Sequence, residues 1–241
     1  MKKEIHRATT RGHANHGWLN SHHSFSFASY NNPERMNFGA LRVLNDDVVA
    51  PGMGFGKHPH NNMEIISIPL YGDLEHEDSM GNKTIIKEGD IQSMSAGTGI
   101  SHSEYNKNSD KEVHFLQIWI LPKERNIPPR YDQISIKDND YHNKLYQIVS
   151  PNAKDEGITI NQDAWFHIAN LDAGKEIDYT LKGNNTGVYT FIIEGDATIN
   201  NEKLNKRDGL GISETDTLFI KADTHAKILL MEVPMHYKFG F

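Results

Sequence analysis

Two pairs of metal-binding residue types stand two positions apart in the first half of the chain, His58 with His60 and His102 with Glu104. Side chains two positions apart project from the same face of a β-strand, so each pair can reach a single ion if its segment is extended. Three imidazoles and one carboxylate suit Fe, Ni, Cu, Zn or Mn better than Ca or Mg. Glu64 has the same parity as His60, so the spacing leaves Glu64 and Glu104 both open as the carboxylate ligand.

The composition supports a site built from histidine and carboxylate. The chain has 14 histidines and no cysteine, which excludes disulfides, thiolate ligands and cysteine nucleophiles. With 25 Lys and Arg residues against 32 Asp and Glu, its net charge of −7 disfavours direct contact with nucleic acid. No stretch reaches the roughly 20 apolar residues of a membrane span, and the basic N-terminus leads into no apolar signal core. We therefore expect a cytoplasmic protein that makes no membrane contact.

The elements that position these pairs are predicted to be short strands, giving an all-β protein. Strand-sized runs rich in β-branched and aromatic residues alternate with Gly-bearing turns in both halves. In the first half these runs are 64–70, 83–87 and 113–121; in the second they are 146–149, 159–161, 164–171, 176–181, 187–194, 197–199, 217–220 and 227–233.

A proline-rich stretch, 122–130, reads as a connector between two domains, because proline cannot donate to a sheet ladder. We place an N-terminal metal-binding domain at residues 1–130 and a C-terminal domain at 131–241. The histidines of the second domain, His167, His225 and His236, are isolated, so it is predicted to keep the fold without the metal.

The two metal-binding segments resemble the paired motifs of the cupin superfamily. Residues that match are Gly52, His58, His60 and Glu64 of the first motif, with its closing glycine one place late at Gly72, and Gly89, Gly97, His102 and Asn106 of the second. Ser95 stands where the second motif has proline, and two extra residues precede its histidine. The resemblance implies two tandem cupin barrels of the double-stranded β-helix, jelly-roll-like type.

A resemblance to the pirin family of bicupins extends over more of the chain, through segments 23–30, 36–47, 58–60, 75–81, 89–104 and 117–122. Carried over to this sequence, the metal ligands of that family are His58, His60, His102 and Glu104. Glu64 then becomes a candidate proton acceptor beside the ligands. Bacterial pirins are similar to quercetin 2,3-dioxygenases, so the resemblance implies Fe(II) as the expected ion, with Zn, Mn, Ni, Co or Cu as alternatives.

The implied activity is oxidative opening of a flavonol such as quercetin, or of a related enol or catechol, with dioxygen as the second substrate. In this hypothesis Glu104 or Glu64 takes the proton of the substrate hydroxyl. The alternative comes from eukaryotic pirins, which are similar in sequence and act as metal-dependent redox sensors and transcriptional coregulators through protein partners. A purely structural metal is a third interpretation, although structural zinc usually recruits cysteine.

Other aromatic and histidine residues have simpler interpretations. Phe25, Phe27, Phe38 and Trp119 are interpreted as barrel packing rather than a substrate platform. The side chains of His22, His23 and His76 are expected to form hydrogen bonds or face solvent rather than bind metal, since none has a same-face partner in a comparable backbone context.

Overall fold

The computed structural model describes residues 1–237, and 22 β-strands account for most of its regular structure. The strands are β1 (Lys2–His6), β2 (Gly12–Asn15), β3 (Leu19–His23), β4 (Leu41–Val49), β5 (Gly54–His60), β6 (Glu64–Tyr71), β7 (Leu74–Asp78), β8 (Lys83–Ile86), β9 (Asp90–Ser95), β10 (Ile100–Asn106), β11 (Val113–Ile120), β12 (Arg130–Ser135), β13 (Tyr146–Ser150), β14 (Ile158–Thr159), β15 (Trp165–Leu171), β16 (Glu176–Thr180), β17 (Thr186–Glu194), β18 (Ala197–Ile199), β19 (Glu202–Leu204), β20 (Gly209–Ser213), β21 (Thr217–Ala222) and β22 (Ala226–Pro234). One short α-helix, α1 (Asp138–Tyr141), and two 3₁₀ turns, Ala8–Thr10 and Pro33–Arg35, complete the regular elements. No helix within this described part is long and apolar enough to cross a membrane.

The strands form two similar units, each built from one seven-stranded and one four-stranded sheet. The first unit has the orders β12-β9-β6-β11-β4-β3-β2 and β5-β10-β7-β8, and the second has β1-β20-β17-β22-β15-β13-β14 and β16-β21-β18-β19. Almost every strand pair is antiparallel; β13 with β14 is parallel. The all-β architecture with two repeated units therefore agrees with the prediction.

Strand pairing crosses the predicted domain boundary at residue 130. The N-terminal strand β1 pairs with β20 in the second unit, whereas β12, which begins at Arg130, pairs with β9 in the first. Residues 238–241 of the predicted C-terminal domain lie outside the described residues. The boundary itself stays a prediction. Each unit nevertheless contains one strand from the other predicted domain: β1 in the second unit and β12 in the first.

The main hydrophobic core joins the two units through their large sheets. It contains Ile66, Leu116 and Ile118 of the first unit together with Phe166 and Phe191 of the second, all at most 1% exposed. Alternate residues of β11 explain this arrangement, because Leu116, Ile118 and Ile120 belong to the shared core. The intervening side chains of β11 point to the opposite face, into the interior of the first barrel.

The interiors of the two barrels differ in what fills them. Among the described residues, the interior cluster of the second barrel has 16 buried apolar members, including Leu218 and Ile228. The corresponding cluster of the first barrel has six, including Leu74 and Phe115. The second interior is therefore packed with side chains, whereas the first leaves room for polar groups and a cavity.

Candidate metal centre

Three histidines converge where β5 lies beside β10. The two strands are antiparallel, with His102 opposite His58 and Ile100 opposite His60. The ring centroids are 4.5 Å apart for His58 and His102, 5.0 Å for His60 and His102, and 4.9 Å for His58 and His60. One ring nitrogen from each residue lies within 4.8 Å of the other two, which is close enough for a shared ion.

Backbone contacts determine which nitrogen of His58 is available. Its Nδ1 lies 2.8 Å from the carbonyl oxygen of Gly56. A carbonyl only accepts hydrogen bonds, so Nδ1 carries the proton and donates. The lone pair of His58 is therefore on Nε2, free to bind a metal ion.

A hydrogen-bonded chain behind His102 orients its ring in the same way. Asp78 Oδ2 lies 3.2 Å from His76 Nε2, and His76 Nδ1 lies 3.5 Å from His102 Nδ1. Because the carboxylate accepts from His76, the other nitrogen of His76 can accept from His102. Nε2 of His102 is then left with a lone pair, and it is buried without a hydrogen-bond partner in the described structure. Such outer contacts commonly fix the tautomer of a metal-binding histidine.

Burial keeps the imidazoles of His60 and His102 neutral. Burial lowers the pKa of His60 to about 4, with a further contribution from the neighbouring His58. Burial and the adjacent His58, His60 and His76 lower the pKa of His102 to about 2. Neutral rings at physiological pH are the form that binds metal ions.

Glu104 lies on β10 and is held from the large sheet opposite. Ser67 Oγ donates to its Oε1 at 3.0 Å, and Gln117 Nε2 donates to its Oε2 at 2.8 Å. Burial raises the pKa of Glu104 to about 7, against the opposing effect of these two hydrogen bonds. The side chain is 3% exposed, so it is a buried carboxylate that can ionise near neutral pH.

The four predicted ligands are linked through His102. Two groups of residues have ligand atoms within 4.8 Å of one another: His58, His60 and His102 form the first, and His76, His102 and Glu104 form the second. Binding of one ion by the predicted four stays a prediction, and His76 is a residue that the sequence interpretation left out of the site. His76 does form hydrogen bonds, as expected, but one of them is to the predicted ligand His102.

Glu64 lies elsewhere. The parity argument assumed an unbroken strand, but β5 ends at His60 and Asn62, with φ of 47°, turns the chain into β6 in the other sheet. The Glu64 side chain accepts hydrogen bonds from Ser95 Oγ at 2.6 Å and from the backbone N–H of Asn161, in the second unit, at 3.2 Å. It does not line the histidine cavity, so its predicted role as a proton acceptor gains no supporting contact.

A cavity of about 420 Å³ opens beside the three histidines. Aromatic rings form much of its wall: Trp119 contacts His60 at 4.9 Å and Phe27 at 5.4 Å between ring centroids, and Trp18 contacts Phe55 at 5.3 Å. Phe25 and Phe38 pack in the core as expected. Phe27 and Trp119, interpreted from sequence as packing residues, line this cavity, and Trp119 also packs against the main core as expected.

The sequence interpretation also missed polar residues on the large sheet. Residues that line the cavity include Ser21, His23, Asn45, Asp47 and Gln117. The signal was present in β4, where Asn45, Asp46 and Asp47 interrupt an apolar strand and Asn45 and Asp47 are two positions apart. Polar residues with that spacing share one face, and burial there requires partners.

Comparison with known proteins identifies the family. Residues 4–120 match the family model named Pirin, and residues 147–233 match the model described as quercetinase C-terminal cupin domain. The chain is 43% identical over 230 residues to quercetin 2,3-dioxygenase of Escherichia coli strain K12, covering 95% of this chain and 98% of that protein. This chain belongs to the pirin family.

Other pirins and their structures agree. A pirin-like protein of Caulobacter vibrioides is 40% identical over 222 residues, covering 92% of this chain and 95% of that one. The crystal structure of the bacterial pirin YhhW from E. coli in complex with nickel(II) superposes with a TM-score of 0.92 at 42% identity, covering 97% of this chain and 99% of that one. The predicted pair of tandem cupin barrels is thereby confirmed.

Proposed function

We propose that this pirin is a metal-dependent dioxygenase that opens the ring of a flavonol such as quercetin, or of a related enol or catechol. The observation that carries the proposal is the convergence of three imidazoles on the wall of a cavity with aromatic sides. The name of the E. coli relative, quercetin 2,3-dioxygenase, supports the same substrate class.

The donor groups fit a divalent transition-metal ion. His102 Nε2 is buried and unpartnered, and a buried nitrogen without a partner is unfavourable unless a ligand satisfies it. We assign His58, His60 and His102 as nitrogen ligands and Glu104 as the oxygen ligand. This set of borderline donors suits late divalent ions. We propose Fe(II); the nickel(II) complex of the E. coli pirin supports Ni(II) as an alternative, with Zn, Mn, Co and Cu behind it.

A metal ion bound there supplies Lewis-acid polarisation, which lowers the pKa of a coordinating substrate hydroxyl. Glu104 is the residue that receives the released proton. Hydrogen bonds from Ser67 and Gln117 fix the orientation of its carboxylate, as a general base requires. A proton on Oε1 can be donated to Ser67 Oγ, whose own hydroxyl can then turn toward Gln117 Oε1, 3.5 Å away.

The aromatic wall orients the substrate and excludes water. Trp119 lies edge-on to both His60 and Phe27, so a flat ring that enters the cavity is confined beside the imidazoles. Cavities of this size with apolar walls and a few polar groups are typical of small-molecule sites. Dioxygen is the second substrate in this proposal.

The test is metal analysis of protein purified without chelator, followed by oxygen-electrode assays against a panel of flavonols. We expect about one metal ion per chain and oxygen consumption with at least one flavonol. His58→Ala should lose both metal and activity. His225→Ala, which changes an exposed histidine of the second unit, is the matched control and should change neither.

Two results would overturn the proposal. One is metal-loaded protein that consumes no oxygen with any flavonol; metal-dependent capture of a defined protein partner would then favour the redox-sensor alternative. The other is His58→Ala protein that keeps full flavonol-dependent oxygen consumption, because activity would then be independent of the assigned ligands.

A further inference from the structure

Unpartnered polar atoms concentrate around the histidine cavity. Five of the residues that line it each have a buried side-chain atom without a hydrogen-bond partner among the described residues: His23 Nδ1, Asn45 Oδ1, Asp47 Oδ1, His102 Nε2 and Trp119 Nε1. His102 Nε2 is explained by the proposed metal. Buried polar groups are otherwise almost always paired, so the remaining atoms require a different explanation.

Two of these atoms form a matched pair of acceptors. Asn45 and Asp47 are two positions apart on β4, so their side chains project from the same face, and they are 2% and 3% exposed. Both residues line the cavity, and the Oδ1 atom of each is buried without a hydrogen-bond partner among the described residues. Oxygen atoms of this type accept hydrogen bonds, so together they call for a ligand that carries donors.

The neighbours of Asp47 hold its carboxylate in place without satisfying it. Ser21, opposite Asp47 on β3, is hydrogen-bonded to its carboxylate and leaves Oδ1 unpaired. Ser21 Oγ also lies 2.8 Å from His23 Nε2. Because the Ser21 hydroxyl donates to Asp47, it accepts a hydrogen bond from His23. These two hydrogen bonds fix the side chains of both Asp47 and His23.

The acceptor pair lies on the large sheet, across the cavity from the sheet that carries the proposed metal ligands. Asn45 is directly opposite Gln117 on β11, and Gln117 donates to Glu104. Adjacent strands are about 4.8 Å apart, and Asp47 lies one further pleat along β4. Because Asn45, Asp47 and the three histidines line one cavity of about 420 Å³, a planar molecule held at the histidines can present another of its edges to Asn45 and Asp47.

We infer that Asn45 and Asp47 form a subsite that accepts hydrogen bonds from phenolic hydroxyls on the remote ring of a polyhydroxylated, planar aromatic substrate. The inference rests on the proposed function, since it assumes that the metal-binding end of the substrate lies at His58, His60 and His102. A site built around buried acceptors discriminates strongly against an analogue that lacks the donors, because the acceptors stay unpaired. With this subsite, the protein selects substrates by the pattern of their phenolic hydroxyls rather than by their metal-binding group.

The test compares flavonols that share the 3-hydroxy-4-oxo group but differ in their other hydroxyls. Dissociation constants of 3-hydroxyflavone, which has no others, and of quercetin are measured by tryptophan fluorescence on metal-loaded protein under argon. We expect wild-type protein to bind quercetin at least about tenfold more tightly, the effect of roughly one hydrogen bond to a buried acceptor. Asn45→Leu and Asp47→Leu should each remove most of that preference and leave 3-hydroxyflavone binding within about twofold.

Two further variants separate recognition from structure. Asp47→Asn keeps an oxygen acceptor at the same place and should retain more of the preference than Asp47→Leu. Thr190→Val removes an equally buried, unpartnered hydroxyl from the second unit and should retain all of it. Metal content is measured for every variant, and wild-type stoichiometry is expected because none of these changes touches an assigned ligand.

The outcomes distinguish this inference from the proposed function. Equal affinity of wild-type protein for the two ligands, or a quercetin preference that survives in both leucine variants, overturns the subsite and leaves the dioxygenase proposal standing. Such a result would mean that ordered water alone satisfies Asn45 and Asp47. Wild-type protein that binds metal but neither flavonol overturns both.

Discussion

Replacing Glu104 with glutamine should stabilise the metal-free protein at alkaline pH while weakening metal binding. The two hydrogen bonds of Glu104 survive the change, because a glutamine oxygen can accept from Gln117 Nε2 and its amide can donate to Ser67 Oγ. The substitution therefore removes the buried charge and little else. A site residue that is unfavourable for folding in the absence of its ligand is expected where function requires a buried carboxylate.

The pKa of Glu104 sets the sign and size of the effect. In the folded protein burial raises this pKa from 4.5 to about 7. Stability from the protonated form is thus fully present below pH 4.5 and is lost as pH rises through 7, because the unfolded chain releases the proton more readily. The difference between the two pKa values corresponds to about 3 kcal/mol at alkaline pH.

The assay is urea denaturation of chelator-treated protein at pH 5 and pH 8.5, followed by tryptophan fluorescence. We expect Glu104→Gln to exceed wild type in free energy of unfolding by about 3 kcal/mol at pH 8.5 and by under about 1 kcal/mol at pH 5. The histidines are the same in both proteins, so their titration cancels in the difference. Adding metal should reverse the order at pH 8.5, because only wild-type protein has the carboxylate ligand.

Glu64→Gln is the matched control. Glu64 is also buried, and burial raises its pKa to about 7, but its contacts are Ser95 and Asn161 rather than the histidine cluster. It should show a similar pH-dependent stabilisation without loss of metal affinity. The reasoning is refuted if Glu104→Gln is less stable than wild type at pH 8.5 without metal, or if the difference does not change with pH.

Three further predictions concern the hydrogen-bonded chain behind His102, the packing of the shared core and the effect of bound metal on stability. His76→Phe breaks the hydrogen-bonded chain behind His102 and should weaken metal binding about 10- to 100-fold, as measured by competition with a chromogenic chelator. Gly211→Ala places a Cβ atom 2.5 Å from the Phe38 ring in the shared core, so calorimetry should detect a loss of about 1 to 3 kcal/mol of stability. Removal of bound metal should lower the melting temperature of wild-type protein. A metal ion at a free concentration 100 times its dissociation constant contributes about 2.7 kcal/mol of stability. The His58→Ala variant should melt at the same temperature with or without metal.

The sequence predicted the strands that carry strong local signals. Runs such as 64–70 and 113–121 correspond to β6 and β11 within one residue at each end, because β-branched and aromatic residues fill strands that are buried on both faces. Strands such as β1, which is mostly exposed, and β20, which contains two glycines, lack that signal. Strand β1 pairs with β20, and β20 also pairs with β17; no local pattern encodes such long-range pairing.

In the candidate site, too, local spacing correctly predicted the relative positions of some residues and missed those that depend on long-range structure. Two-residue spacing was enough to place His58 beside His60, because it needs only a regular strand. It was not enough for Glu64, since the turn at Asn62 moved the next residues into another sheet. The contacts of His76 depend on the register of β7 against β10, in which Glu77, the residue after His76, lies opposite Ser103. Such a long-range register follows from the whole fold rather than from residue spacing.

A buried carboxylate in the second barrel differs from the groups of the proposed metal site in the first barrel in how its hydrogen bonds are satisfied. In the second barrel Glu232 is fully buried, yet its carboxylate accepts hydrogen bonds from Tyr179 Oη, Thr186 Oγ1 and the backbone N–H groups of Lys182 and Gly183. A carboxylate with every acceptor site occupied fixes local structure and has no capacity left for a ligand. The first barrel keeps unpaired imidazole, amide and carboxylate atoms facing one cavity instead. An apolar interior in one barrel can supply the stability that such unpaired groups remove from the other, which is a physical reason for the chain to retain a second barrel whose interior is packed with apolar side chains.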